Sequence, residues 1–291
     1  MSNTDKQAWV RLLIPISSGM IEKISGEIFA LGAEGLEEES EHIVAYFKDD
    51  IWNQALEDQL IQCLKHFVPM IGINDIKKQT VGWENWNENW KQNFASFRVP
   101  PNIIVAPEWE NPKLAGNEIV IKISPKMAFG TGHHETTQLI LSLLPVYVLS
   151  ESAVLDAGTG SGILAILAAK SGAQKVVAFD NDPVAIENAL ENVDLNGVKQ
   201  QVRLIRGSLE DIPVQKFNLI LANINRNVLL DLRDKWPDYI TPDGKLILSG
   251  ILDQDEKVIR DAYENDNWQY IDKKQQGEWI ALVFSYKGVI K

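Results

Sequence analysis

The chain has 291 residues, which is long for one domain and favours two. Its 45% hydrophobic and 23% charged residues are typical of a soluble globular protein, and no apolar run is long enough to span a bilayer. A net charge of −12 disfavours broad electrostatic binding of nucleic acid. The single cysteine, Cys63, excludes an intrachain disulfide, and the amino terminus has no signal-peptide character, so we expect a cytoplasmic protein.

Residues 1–81 alternate between strand and helix patterns. The hydrophobic periodicity predicts a strand at 9–14, a helix at 20–31, a strand at 43–47, a helix at 52–67 and a strand at 73–81. This order is typical of a small ferredoxin-like α+β domain. An acidic run is expected to form a solvated loop, with a docking surface for a basic protein as the alternative; it comprises Glu37, Glu38, Glu39 and Glu41.

Aromatic residues mark residues 82–97. Trp83, Trp86, Trp90 and Phe94 recur at helical spacing and place one aromatic face on a helix. We interpret this segment as a linker helix between two domains, and a ligand-stacking platform is the alternative. The second domain then covers residues 98–291.

A glycine-rich turn at 158–162 is the centre of the second domain. It follows a short apolar strand and precedes a helix, an arrangement that lets a backbone approach a nucleotide closely. A dinucleotide site requires G-x-G-x-x-G, but Ile163 occupies the third glycine position here. The observed spacing, Gly158-x-Gly160-x-Gly162, is typical of S-adenosylmethionine (SAM) methyltransferases.

Two acidic residues flank this turn in the sequence. Asp156 lies just before the turn, and Asp180 ends the next predicted strand, at 175–179. A carboxylate at the second position can bind both hydroxyls of an adenosine ribose. SAM and NAD both contain that ribose, so the glycine spacing, rather than Asp180, favours SAM.

A second glycine-containing stretch precedes a predicted helix at 139–144. Phe129, Gly130 and Thr131 belong to it, and glycines followed by hydroxyls at a helix start can surround the polar atoms of a ligand. Three potential metal ligands follow: His133, His134 and Glu135. Adjacent histidines on a helix diverge and the i, i+4 zinc spacing is absent, so we expect no metal.

The remaining elements predict a Rossmann-like sheet of seven strands. Further strands are expected at 202–205, 218–222, 245–249, 268–272 and 279–285, with helices at 183–195, 229–236 and 254–263. The last two strands have no helix between them, which fits an antiparallel final strand. Ser208 follows one strand where methyltransferases place adenine, and Asn223 follows another, at the edge where open α/β sheets bind ligands.

These motifs resemble the bacterial ribosomal protein L-eleven methyltransferases over nearly the whole chain. The most specific match is Ala128–Thr137, and others are Trp86–Phe94, Leu221–Ile224, Leu248–Leu252 and Gly277–Trp279. The resemblance implies a class I SAM methyltransferase domain preceded by a domain that recognises ribosomal protein L-eleven and swings relative to it. It also implies methylation of lysine side-chain and N-terminal amino groups in that protein.

The resemblance implies SAM contacts from four residues: Thr137, Gly158, Asp180 and Asn223. We add six further candidates for the cofactor site: Phe129, Gly130, Thr131, Asp156, Gly160 and Ser208. Two segments depart from the family pattern. Ser124-Pro125-Lys126 replaces the common Asp-Pro-Gly, and Asn225-Arg226-Asn227 follows Ile224.

Asn223 is the candidate catalytic residue, with the role of positioning a neutral amine. Ile224-Asn225 replaces the Pro-Pro-Tyr of enzymes that methylate planar amides or adenine, which favours an aliphatic amine. We expect a monomer that binds neither membranes nor specific nucleic acid sequences. Alternatives are a SAM methyltransferase for another protein, RNA or small amine, an NAD-dependent oxidoreductase, and a non-catalytic ribosome-associated module.

Overall fold

The computed structural model describes most of the chain, namely residues 8–16, 21–33, 35–39, 42–82, 95–124, 131–265 and 267–288. The chain divides into two compact units, Met1–Phe94 and Ala95–Lys291. The predicted linker helix lies largely outside the described residues, as do Phe129 and Gly130. In these ranges no helix combines the length and the apolar character that a bilayer crossing requires.

The first unit contains an antiparallel sheet with strand order β2-β3-β1-β4. Its elements are β1 (Ala8–Ile14), α1 (Ile21–Ala30), β2 (Gly35–Glu39), β3 (His42–Lys48), α2 (Gln54–Phe67) and β4 (Lys77–Gly82). Apolar residues of both helices, such as Ile28 and Leu64, are buried against alternate strand residues such as Leu12 and Phe47. This topology confirms the predicted ferredoxin-like fold.

Residues 37–39 of the acidic run do not form a loop, so the prediction is wrong for them, and Glu41 lies outside the described residues. Residues 37–39 belong to β2, which lies at the edge of the sheet and pairs with β3. The Tyr46 hydroxyl of β3 donates a hydrogen bond to Glu37 Oε2 at 3.0 Å. Burial, followed by the Glu37 charge, raises the pKa of Tyr46 to about 12. Charged residues suit an edge strand because they oppose pairing with another chain.

The second unit begins with a three-stranded sheet. Its strands are β5 (Phe97–Val99), β6 (Ile103–Pro107) and β7 (Ile119–Ile123). β6 is antiparallel to β5 and parallel to β7. β5 and β6 are separate strands because Pro100 and Pro101 between them have no N–H group with which to continue a ladder.

A seven-stranded sheet with order β10-β9-β8-β11-β12-β14-β13 forms the rest of this unit. Its strands are β8 (Ala153–Ala157), β9 (Lys175–Asp180), β10 (Val202–Arg206), β11 (Phe217–Asn223), β12 (Ile240–Leu252), β13 (Trp268–Gln276) and β14 (Trp279–Tyr286). Neighbouring strands from β10 to β12 are parallel, and β14 is antiparallel to both of its neighbours. The predicted Rossmann-like sheet is confirmed.

Helices cover both faces of this sheet and bury two hydrophobic cores. They are α3 (Glu135–Tyr147), α4 (Ile163–Lys170), α5 (Pro183–Leu195), α6 (Arg226–Leu232), α7 (Trp236–Tyr239) and α8 (Glu256–Tyr263). The single helix predicted at 229–236 is wrong, because α6 and α7 are separate. Pro237 lies in the first turn of α7, where its missing N–H group is tolerated, and so a new helix starts there.

Candidate active site

The candidate site lies where several parallel strands end together. Ala157 of β8 is in register with Phe179 of β9 and with Ala222 of β11. β9 and β11 lie on opposite sides of β8, so the chain reverses its direction of strand addition there. Ligands of open α/β sheets bind at such a switch point, outside the carboxyl ends of the strands.

The glycine turn after β8 is attached to the end of β9. Gly158, Gly160 and Gly162 all have positive φ, at 69°, 54° and 83°. The Gly158 and Thr159 amides donate to the Phe179 carbonyl oxygen at 2.9 and 3.0 Å. The Gly160 amide donates to Asp180 Oδ2 at 2.9 Å. The predicted ribose carboxylate and the predicted cofactor turn therefore form one hydrogen-bonded unit.

Two of these glycines are also required by close packing. A Cβ at Gly158 would lie 2.3 Å from Ile224 Cγ2, the residue that follows β11. A Cβ at Gly162 would lie 3.2 Å from Ala189 Cβ on α5. The turn is thus held between β11 and α5, and a larger side chain at Gly158 would displace Ile224.

Asp156 holds the glycine turn in place through hydrogen bonds. Its side chain is completely buried, and Oδ2 accepts hydrogen bonds from Thr159 Oγ1 at 2.6 Å and from the Ala165 amide at 3.2 Å. Burial raises the pKa of Asp156 to about 7; these two hydrogen bonds oppose the shift, and the Asp180 charge adds to it. Asp156 therefore fastens the turn to the first helical turn of α4.

Thr137 and Asn223, which are 86 residues apart in the sequence, meet at the end of β11. Asn223 Nδ2 donates to Thr137 Oγ1 at 3.3 Å. Asn223 Oδ1 is buried and has no hydrogen-bond partner among the described residues. A buried amide oxygen without a donor is costly, and a ligand N–H group would satisfy it.

The other predicted cofactor residues have more varied surroundings. The Ser208 amide and hydroxyl both donate to Asp211 Oδ2, at 2.9 and 3.1 Å, so this exposed serine caps a short turn. The next residue back, Gly207, donates its amide to the Asp180 carbonyl oxygen at 2.9 Å. Thr131 is the first described residue after the segment that contains Phe129 and Gly130.

The two histidines of this stretch contact aromatic rings. His133 packs on Phe97 with ring centroids 4.4 Å apart, and burial lowers the pKa of its imidazole. His134 accepts the Thr136 amide as the N-cap of α3 and meets the edge of Trp279 at 5.1 Å. Within the described part of the chain, no three histidine, cysteine or acidic residues form a group that could hold a metal ion.

The arrangement fits SAM. Asp180 presents a carboxylate at the end of β9, the turn beside it is rich in glycine, and Asn223 provides an unsatisfied buried acceptor. Sequence reasoning missed Asn192, which is completely buried and contacts the turn through the Ser161 carbonyl oxygen. The available signal was the spacing of Asn188, Asn192 and Asn196 at four-residue intervals on one helix.

The strand order, the antiparallel β14 and the glycine turn define a class I SAM-dependent methyltransferase. The family described as ribosomal protein L11 methyltransferase (PrmA) matches residues 12–287. The chain belongs to this family.

Individual relatives match along most of their length. The ribosomal protein L11 methyltransferase of Acetivibrio thermocellus is 32% identical, covering 94% of this chain and 97% of the relative. That of Pelobacter propionicus is 34% identical, covering 95% and 97%. The crystal structure of a ribosomal protein L11 methylase from Lactobacillus delbrueckii subsp. bulgaricus is 35% identical, with a TM-score of 0.62, and covers 67% of this chain and all 100% of that one.

Proposed function

We propose that this protein transfers methyl groups from SAM to lysine side-chain and N-terminal amino groups of ribosomal protein L11. Family membership and relatives of that name support the substrate. The structural observation that carries the proposal is Asn223 Oδ1, a buried acceptor without a partner among the described residues, at the sheet edge beside the glycine turn. SAM methyltransferases acting on another protein, RNA or small amine are the alternatives.

Asp180 is the proposed ligand of the ribose hydroxyls. Its two oxygens already accept the Gly160 and Asp182 amides, at 2.9 and 3.0 Å. A carboxylate has about four acceptor positions, so capacity for two hydroxyls is left. The remaining proposed contacts come from Thr137, Gly158, Gly160 and Asn223, with Phe129, Gly130, Thr131, Asp156 and Ser208 as further candidates.

Asn223 is proposed to position the amine for transfer. Bound SAM supplies an electrophilic methyl group on a sulfonium. A free lysine amine has a pKa of ~10.4 and is therefore mostly protonated near neutral pH. Only the neutral form has a lone pair that can accept the methyl group, so the site must hold the amine in that form. Asn223 Oδ1 accepts one amine N–H and directs the nitrogen lone pair toward the methyl group. Its amide does not titrate, so the proton of the methylated amine leaves to solvent. Such alignment can supply ~7–11 kcal/mol.

The residues after Asn223 support an aliphatic amine as the acceptor. Ile224 packs against Gly158 in the glycine turn. Asn225 caps α6, because its Oδ1 accepts the Asn227 amide at 2.9 Å. Neither residue offers an aromatic face on which a planar base or amide could stack.

The first unit is proposed to recognise ribosomal protein L11, with residues 1–81 as the recognition domain and 82–97 as a linker. We further propose a cytoplasmic monomer that binds neither membranes nor specific nucleic acid sequences. A shortened protein that begins near Phe97 should bind SAM, because the seven-stranded sheet is complete without the first unit. It should lose methylation of L11, and full activity would contradict the recognition role.

The central test combines labelled SAM, purified L11 and mass spectrometry of the product. Asn223→Ala should lower turnover at saturating SAM by an order of magnitude or more, because small misalignments can cost ~100-fold. Asn218→Ala is the matched control. Asn218 lies near the opposite end of β11, where its Oδ1 accepts the Ala153 amide of β8 at 2.9 Å. Full turnover in Asn223→Ala would contradict the role assigned to Asn223. If the wild-type protein transfers no label from SAM to L11, the proposed substrate is wrong.

A further inference from the structure

The edge of strand β7 that does not pair with β6 faces helix α5 and not another strand. Three asparagine side chains of helix α5 bind its backbone there. Asn196 accepts the Lys122 amide at 2.9 Å and donates to the Lys122 carbonyl at 2.6 Å. Asn192 accepts the Ser124 amide at 2.7 Å, and Asn188 donates to the Ser124 carbonyl at 3.1 Å. We call these three residues the asparagine ladder.

These hydrogen bonds are possible because the rise between successive turns of α5 matches the rise between alternate residues of the strand. Asn196, the C-cap residue of α5, lies four residues after Asn192, a helical rise of about 6.0 Å. Ser124, which directly follows β7, lies two residues after Lys122, a rise of about 6.6 Å along an extended chain. Each helical turn therefore presents an amide to the next edge-facing residue of the strand. The helix takes the place of an adjacent strand and satisfies edge groups that would otherwise be unpaired.

Asn192 also binds the cofactor turn. It is completely buried, and its Nδ2 donates to the carbonyl oxygen of Ser161 at 2.8 Å. Its Oδ1 at the same time holds the Ser124 amide. One side chain therefore connects the glycine turn to the residue at which β7 leads into the Ala128–Thr137 motif. Among the described residues the Asn196 side chain makes no such link, because it bonds only to Lys122 of β7 and to the Asn192 carbonyl of α5.

A second contact is made by Gly132, which belongs to the same motif. Gly132 has φ of 94°, and a Cβ there would lie 3.0 Å from Ile163 Cδ1 and 3.2 Å from Phe97 Cζ. Ile163 is the first residue of α4 and directly follows the glycine turn. Ser124 is thus linked to the glycine turn through Asn192, and Gly132 packs against the first residue of α4.

We propose that Asn192 is a positioning residue for methyl transfer, acting through the Ser161 carbonyl and the Ser124 amide. This inference rests on the proposed function. The ladder uses only the backbone groups of Ser124. The side chain at that position is not needed for the attachment.

The test compares Asn192→Leu with Asn196→Leu in the full-length protein. Both variants remove hydrogen bonds from α5 to β7, so both should lower the Tm. Only Asn192→Leu should raise the SAM Kd and lower turnover with L11, each by about tenfold, because only it frees the glycine turn. Asn188→Ala, which removes the bond to the Ser124 carbonyl, should lower turnover by a smaller factor with little change in Kd.

Asn192→Asp covers the case in which the leucine variant does not fold. It keeps an acceptor for the Ser124 amide but loses the donor to Ser161, and should show the same rise in SAM Kd. Equal kinetic effects in the Asn192 and Asn196 variants, or wild-type values in the Asn192 variants, would overturn the proposal. If wild-type protein binds SAM but does not methylate L11, the proposed substrate is wrong, and the Kd comparison alone decides the role of Asn192.

Discussion

Replacing Asp156 by asparagine should change how stability depends on pH. Asp156 is fully buried under the glycine turn, and burial raises its pKa from the ordinary 3.8 to about 7 in the folded protein. Between these two values the folded state holds a proton that the unfolded state has released. Unfolding then becomes easier as pH rises, by about 1.4 kcal/mol for each pH unit.

The sign and the window follow from this difference. The stabilising contribution of Asp156 is complete below pH 4 and is lost as pH rises through about 7. Asp156→Asn has no such titration, although its amide can still accept from Thr159 and Ala165. Relative to wild type, the variant should therefore gain about 2 kcal/mol of unfolding free energy between pH 5 and 7, because the slope halves where the folded-state group is half ionised. Above pH 8 the difference should be constant.

Urea unfolding at half-unit pH steps would measure this, with wild type and variant in parallel. Other titrating groups are present in both proteins and largely cancel in the difference. The constant cost of placing an amide at the buried site also cancels from the slope. A difference that stays flat between pH 5 and 8 would refute the reasoning, because Asp156 would then be ionised with an ordinary pKa.

Three further results are expected. Asp180→Ala should weaken SAM binding about 10- to 100-fold in a calorimetric titration, the loss expected for hydrogen bonds to a charged group, and unchanged affinity would remove Asp180 from the site. Gly158→Ala should lower both the Tm and the SAM affinity more than Gly197→Ala does. Both glycines have φ near 70°, but only Gly158 faces Ile224. Equal effects of the two substitutions would show that backbone strain alone matters. Raising the pH should increase turnover similarly in wild type and Asn223→Ala, and a flat profile in the variant would instead indicate that Asn223 helps to deprotonate the amine.

Local patterns determined most of the fold. The pattern of apolar residues distinguishes helix from strand: α5 starts at a cap residue followed by proline, and β9 is a short continuous apolar run that ends at Asp180, so both were predicted almost to their observed ends. The glycine spacing at 158–162 likewise indicates a close backbone approach within five consecutive residues. Signals of this kind depend on neighbours in the sequence and can be read without a structure.

Errors arose where an element depends on its partners. Charged residues at 37–39 have a loop-like composition, but pairing with β3 makes them an edge strand. Likewise, the pattern at 229–236 allows one helix, and only the placement of Trp236 in the core, where its Nε1 donates to Tyr263 Oη at 3.0 Å, shows where α7 begins. Tertiary contacts override weak local preference in such segments.

The chemistry of the site depends on contacts between residues far apart in the chain. The sequence identified Thr137 and Asn223 as separate candidates, but it contains no information on the 3.3 Å hydrogen bond that joins them, or on the burial of Asn223 Oδ1 without a partner among the described residues. The sequence does not indicate that Asn192 contacts the site. Only the fold brings Ser124, 68 residues away, and Ser161, 31 residues away, within hydrogen-bond distance of its side-chain amide. A hydrogen bond requires atoms about 3 Å apart in a suitable direction, and only the packed chain sets both conditions.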